Sequence, residues 1–230
     1  MTPMLTEFFQ GLSRSSAAAM KLLGPSFGGI VVSDRFSATN QLALEQRQLC
    51  WAHIIRDFFA VAKGPGATLR WACDCRVCVN SWSSTWNRWK VGEIEENQLR
   101  QHCQPIRAEL EQTLSQVVEL GHERDEQTPW TQTVRTCHKL VQRQHALWTI
   151  LDPDGVEPTN NGAERALRPA VIQREISNGV QSKTGAHCRT SLLTVRTSFR
   201  QQGRNVWEFL KQAWMAHRHG GERPSLLPND

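Results

Sequence analysis

Tyrosine is absent from this chain of 230 residues, and no apolar run reaches the roughly 18–20 residues that a membrane-spanning helix requires. Membrane partners are therefore not expected. The opening Met1-Thr2-Pro3-Met4 has no basic stretch followed by an apolar one, so it offers no secretion signal and the cytoplasm is the expected compartment. Seven cysteines, an odd number, argue against a closed disulfide framework and for reduced thiols. With no tyrosine, the aromatic share falls on nine tryptophans and eight phenylalanines. The tryptophans read first as core filling, with base stacking by Trp82, Trp86 or Trp89 as the alternative. What remains is ordinary for a globular protein: 39% hydrophobic residues and 21% charged, enough to bury one substantial core.

Charge is unevenly spread. Residues 160–230 hold 11 Lys/Arg against 5 Asp/Glu, a net of +6, whereas residues 1–159 hold 16 against 17, a net of −1. Arginine outnumbers lysine 21 to 6, and guanidinium forks suit bidentate phosphate contacts better than ammonium groups do. A nucleic-acid partner explains this pattern, and so does the amino-acid usage of a GC-rich genome. The run Arg189, Arg196, Arg200, Arg204 likewise has two readings: phosphate contacts, or a solvated face over Leu192, Leu193, Val195 and Phe199.

Along the chain, the Ala-rich stretch 15–23 predicts a helix stopped by Gly24-Pro25. Lys63-Gly64-Pro65-Gly66 is the clearest break, and it opens a helical segment over 67–150. Within that segment Ile106, Leu110, Leu114, Val117 and Val118 recur at helical spacing. Cys73, Cys75 and Cys78, with Cys50 and His53 or His102 and Cys103 to complete a site, lack the two clean ligand pairs of a structural zinc site. Small residues of a helix are the preferred reading, and zinc is not expected. Two helices over 185–202 and 205–216 are divided by Gly203, and residues 220–230 read as a loose tail.

Two segments carry candidate chemistry. Gly28-Gly29-Ile30-Val31-Val32-Ser33-Asp34 reads as a β-branched strand ending on an acid, the edge where open α/β sheets gather ligands. Asp34 can equally cap the segment that follows it. Leu49-Cys50-Trp51-Ala52-His53-Ile54-Ile55-Arg56-Asp57-Phe58-Phe59 then passes from an apolar run into helical spacing. In Glu157-Pro158-Thr159-Asn160-Asn161-Gly162-Ala163-Glu164-Arg165-Ala166-Leu167-Arg168-Pro169, short polar residues suit a helix start and Pro169 discourages continuation. Glu164 then lies one turn into a short helix, either paired with Arg168 four residues on or facing a site.

These three segments, in this order, resemble the transposases of the insertion sequence 66 family, over about residues 10–215. The resemblance implies an α/β fold: a ribonuclease H-like catalytic core, its sheet incomplete here, with a large helical insertion. It implies that Asp34 and Glu164 are two acids of an Asp, Asp, Glu triad binding Mg²⁺ or Mn²⁺, Asp34 shared between two ions. Asn160, Asn161, Arg165, Arg168, His53 and Arg56 would orient these ligands or meet DNA. The family's first catalytic Asp precedes the part matched here. Glu7, in a segment resembling the family's third strand (4–9), is the only acid before Asp34, so an amino-terminally truncated element without cleavage activity is expected. The implied organisation is a partial core (1–66), the insertion (67–150), the remaining core (151–219) and the tail (220–230). Implied partners are the DNA of element ends and target, a second copy or other element-encoded proteins, with the chain at the bacterial nucleoid. A non-catalytic DNA-binding or assembly module is the alternative.

Overall fold

Val31 and Val32 of the β-branched run fold into a strand in the computed structural model of this chain, which describes residues 4–11, 15–61, 67–121, 128–152, 155–177 and 179–228. Strand β1 (Val31–Ser33) pairs in parallel with β2 (Arg47–Leu49), Val31 opposite Arg47 and Ser33 opposite Leu49. Two such short strands cannot hold together alone, so helices supply the rest. The chain divides into two units, Phe27–Thr159 and a discontinuous one built from Met1–Ser26 with Asn160–Asp230.

The first unit is a mostly helical body around the small sheet. Helix α2 (Trp51–Val61) follows β2 almost directly and buries Trp51, Ile54 and Phe58, one face at spacings of three and four. Then come α3 (Ala67–Lys90), α4 (Glu96–Leu120), α5 (Pro129–Val141) and the short α6 (His145–Trp148). Among the described residues of 67–150 the helical reading holds, while the break read at Lys63–Gly66 lies outside the described residues. In α4 the side chains of Glu95 and Gln98 form a capping box, and Leu99, Cys103, Ile106, Leu110, Leu114 and Val117 bury one stripe. Each Leu-sized side chain so buried contributes about 1.5–3 kcal/mol.

The tryptophans are the centre of this unit. Trp51 stacks on Trp82 with ring centroids 4.4 Å apart and meets Trp148 edge-on at 5.1 Å. Its indole N–H donates to the Leu147 carbonyl at 3.0 Å. Trp82 stacks in turn on Trp86, which touches the half-buried Trp89. Trp82 and Trp86 are therefore core residues, not stacking platforms for bases. Gln48 ties β2 to the end of α6: its amide donates to the Leu49 and Leu147 carbonyls, and its oxygen accepts from the Ile150 N–H at 2.8 Å. Cys75, Cys78, Cys103 and Cys137 are buried, and burial pushes their thiols up, Cys78 and Cys103 to about 11 and Cys137 to about 12. Cys73 is exposed.

The second unit holds α1 (Ser16–Leu23), α7 (Asn161–Ile176), α8 (Lys183–Gln201) and α9 (Val206–His219). Ser15 caps α1 and Gly24 ends it with φ 83°, as its sequence predicts. The segment 4–9, expected as a strand, belongs to no sheet. Its backbone bonds run instead to α8 side chains: Thr6 N–H to Ser198 Oγ at 3.1 Å, Ser198 Oγ–H back to the Thr6 carbonyl, and Phe8 N–H to Thr194. Hydroxyls on a helix have replaced a neighbouring strand. Residues 225–226 are not loose either, because Gln202 and Arg204 donate to the Ser225 and Leu226 carbonyls.

Candidate functional site

Asp34 leaves β1 at its carboxyl end, where the Cys50 N–H donates to the Ser33 carbonyl at 2.8 Å and so brings the start of α2 alongside. The following residue, Trp51, donates its N–H to the Pro158 carbonyl at 3.0 Å, which satisfies one of the orphan donors of α2. The strand end, the helix start and the first residue of the Pro158–Pro169 box therefore meet within one unit. Asp34 itself is half-buried, and its Oδ1 accepts the Phe36 N–H at 3.0 Å. That turn is the capping role open to an Asp after a strand. It occupies one carboxylate oxygen and fixes the direction of the other.

Around this strand end α2 presents His53, Arg56 and Asp57, at spacings of three and four on one face. Asp57 pairs with Arg35, the residue after Asp34. Burial raises the Asp57 carboxyl above its ordinary range, against the lowering pull of Arg35, His53 and Arg56. Sequence reading singled out His53 and Arg56 and passed over Asp57. The signal for it was the helical register that puts Asp57 beside them. His53 is half-buried, and Arg56 is exposed with its Nε donating to the Ala52 carbonyl.

In the other unit Glu164 is half-buried in the first turn of α7, and its N–H donates to the Asn160 carbonyl at 3.0 Å. Asn160 stands at the N-cap position, but its side chain makes no capping hydrogen bond. Asn161, Glu164, Arg165 and Arg168 recur at i, i+3, i+4 and i+7 and so share one face, with both arginines exposed. Pro169 was expected to end this helix. Instead α7 continues through it to Ile176, because a proline removes one link of the ladder and the turns on either side carry the helix past. The four-arginine run, three on α8 and Arg204 just after it, is split in use. Arg189 donates to the Ala170 carbonyl at 2.6 Å and Arg204 lies 4.2 Å over the Phe199 ring, while Arg196 and Arg200 are exposed.

A sequence model described as the transposase IS66 family matches residues 2–188. The chain belongs to the IS66 transposase family. An uncharacterized protein of Sinorhizobium fredii, y4qI, is 26% identical to this IS66-family chain over 91% of the chain and 39% of its own length. The chain thus spans about two fifths of that relative. No solved structure matches it. Among the described residues no helix is long and apolar enough to cross a membrane, and no three His, Cys, Asp or Glu side chains gather as a metal-binding group.

Proposed function

We propose that Asp34 and Glu164 are two carboxylate ligands of one metal-dependent site for DNA strand cleavage and transfer, in a ribonuclease H-like core. The observation that carries this reading is the strand end. Asp34 follows Ser33, whose carbonyl the Cys50 N–H holds at the end of a parallel strand; the next residue, Trp51, holds Pro158, and Glu164 follows Pro158 by six positions in the chain. Membership of the transposase family supports the reaction class. The donor chemistry fits Mg²⁺ or Mn²⁺, hard ions that take one or two carboxylates and keep several waters. Such ions, when bound, stabilise the attacking and leaving oxygens of an in-line phosphoryl displacement.

The residues of the chain have distinct tasks in this scheme. The Asx turn at Phe36 holds the Asp34 carboxylate in one orientation, and the Asn160 and Asn161 amides steady Glu164 and its bound water. Arg165 and Arg168, exposed on the Glu164 face, take phosphate oxygens of the DNA backbone. His53 and Arg56 do the same beside Asp34. These 230 residues supply two acids of the triad that the resemblance implies, so DNA binding without strand cleavage is the activity proposed for them alone.

Mn²⁺ binding, followed by electron paramagnetic resonance, tests the shared site. Asp34→Ala and Glu164→Ala should each weaken binding, and the double variant should lose little more than either. Two independent, additive losses, or none, would sink the assignment.

A further inference from the structure

Trp207 and Trp214 are the two tryptophans that the core does not use. Trp207 is 80% exposed and Trp214 55%, whereas Trp51, Trp82 and Trp148 are at most 3% exposed. Both lie on α9 with Lys211 between them and Arg218 after them, at i, i+4, i+7 and i+11. That spacing puts all four on one face, the two indoles about 10.5 Å apart along the axis at 1.5 Å per residue. The Arg218 guanidinium lies 5.4 Å from the Trp214 ring centroid. The opposite face is the structural one, where Phe209 packs on Phe199 at 4.6 Å. Asn205 caps the helix through the Trp207 and Glu208 N–H groups, which fixes Trp207 in the first turn.

We infer that this stripe is a binding site for unpaired DNA bases, with Trp207 and Trp214 as stacking surfaces and Lys211 and Arg218 as phosphate contacts. The choice of DNA rests on the transposition reading given above. Exposed indoles alternating with cations and free of acids match single strands, whose bases offer their π-faces and whose backbone offers charge. A duplex hides those faces, so phosphate contacts would leave the indoles unused. The one acid of the helix, Glu208, stands outside the stripe and accepts from Gln212. The charge of the surrounding unit agrees: Met1–Ser26 with Asn160–Asp230 carries 13 Lys/Arg against 6 Asp/Glu, a net of +7. Strand transfer exposes single-stranded DNA at cleaved ends, and this site would hold it.

Fluorescence anisotropy of the full 230-residue chain with a labelled oligothymidylate and, separately, a labelled mixed-sequence duplex tests the inference. Trp207→Ala and Trp214→Ala should each weaken single-strand binding by about 5- to 150-fold. Duplex binding should change by less than about 3-fold, since the phosphate contacts remain. Trp207→Phe and Trp214→Phe, which keep a π-face, should restore most of the loss. Unchanged single-strand affinity in the double Ala variant overturns the inference. So does an equal loss on duplex, a loss seen only on anionic vesicles, or a shift from dimer to monomer, which would make the stripe an interface between copies. Failure of the wild-type chain to bind either DNA would instead remove the transposition reading, a result distinct from these.

Discussion

The two units of this chain solve opposite problems with the same kinds of residue. Residues 27–159 carry 14 Lys/Arg against 16 Asp/Glu and hold the whole contiguous buried cluster, from Leu49 to Ile150. The other unit carries a net +7, and among its described residues only Thr6, Phe8, Ser198 and Phe199 are buried. Its helices α1, α7 and α9 bury no side chain at all. Leu167, Val171, Ile172 and Ile176 of α7 stay exposed. One unit is thus stabilised by its interior, whereas the other spends its large side chains and its charge on its surface.

Alkaline pH should separate the units most sharply. An unfolded thiol ionises near pH 8.5, whereas burial keeps Cys78 and Cys103 protonated up to about 11 and Cys137 up to about 12, with Cys75 pushed higher still. The folded unit therefore holds protons that the unfolded chain has lost. Its stability is intact below about pH 8.5 and falls as pH rises toward those values, by about 1.4 kcal/mol per pH unit for each thiol. Urea titrations from pH 8 to 10 should show this decline. Cys103→Ala should flatten the slope by one thiol's share, and a slope that ignores Cys103 would mean that its burial is not what resists ionisation.

Trp51→Ala comes next in size. It removes the stacking partner of Trp82, the edge contact to Trp148 and the donor to Leu147, and should cost about 3–5 kcal/mol. Hydrogen exchange should show lost protection in α2, α3 and β2 with α8 and α9 little changed; a uniform loss would show that the two units unfold as one. The smallest effect belongs to the other unit. Asn205→Ala removes the cap of α9 and should cost about 1 kcal/mol, read as faster exchange at Trp207 and Glu208. A cost as large as that of Trp51→Ala would erase the contrast drawn here.

The sequence was legible where local chemistry and burial agree. The run of Ile and Val before Asp34 gave its strand, Gly24-Pro25 stopped α1 where it ends, and the apolar stripe of α4 matched its buried face. It misled where the surrounding structure overrides a local rule. Pro169 reads as a stop, yet α7 runs through it, and the residues around Phe8 read as a strand, yet hydroxyls of α8 take their backbone bonds. Residue type also hid position: Trp82 and Trp86 drew the base-stacking reading while Trp207 and Trp214 are the exposed pair. Asp57 went unread because helical register alone pointed to it, while its partner, Arg35, lies in another segment.

The bonds between Thr6 and Ser198 span 192 positions of the chain. They impose an order of assembly. Residues 4–8 leave the ribosome before residues 27–159, but their hydrogen-bond partners on α8 follow only after the whole of 27–159 has been made. Met4 waits likewise for Gln202, whose amide donates to the Met4 and Leu226 carbonyls. Residues 27–159 have the whole buried cluster of their core in hand by Ile150 and its last packing residue by Val156, and can fold while the amino-terminal segment is still unattached. Their folding shortens the loop that must close, and with it the entropic cost of bringing the ends together. The more surface-rich unit is therefore the product of a late closure, completed only when the carboxyl-terminal helices arrive.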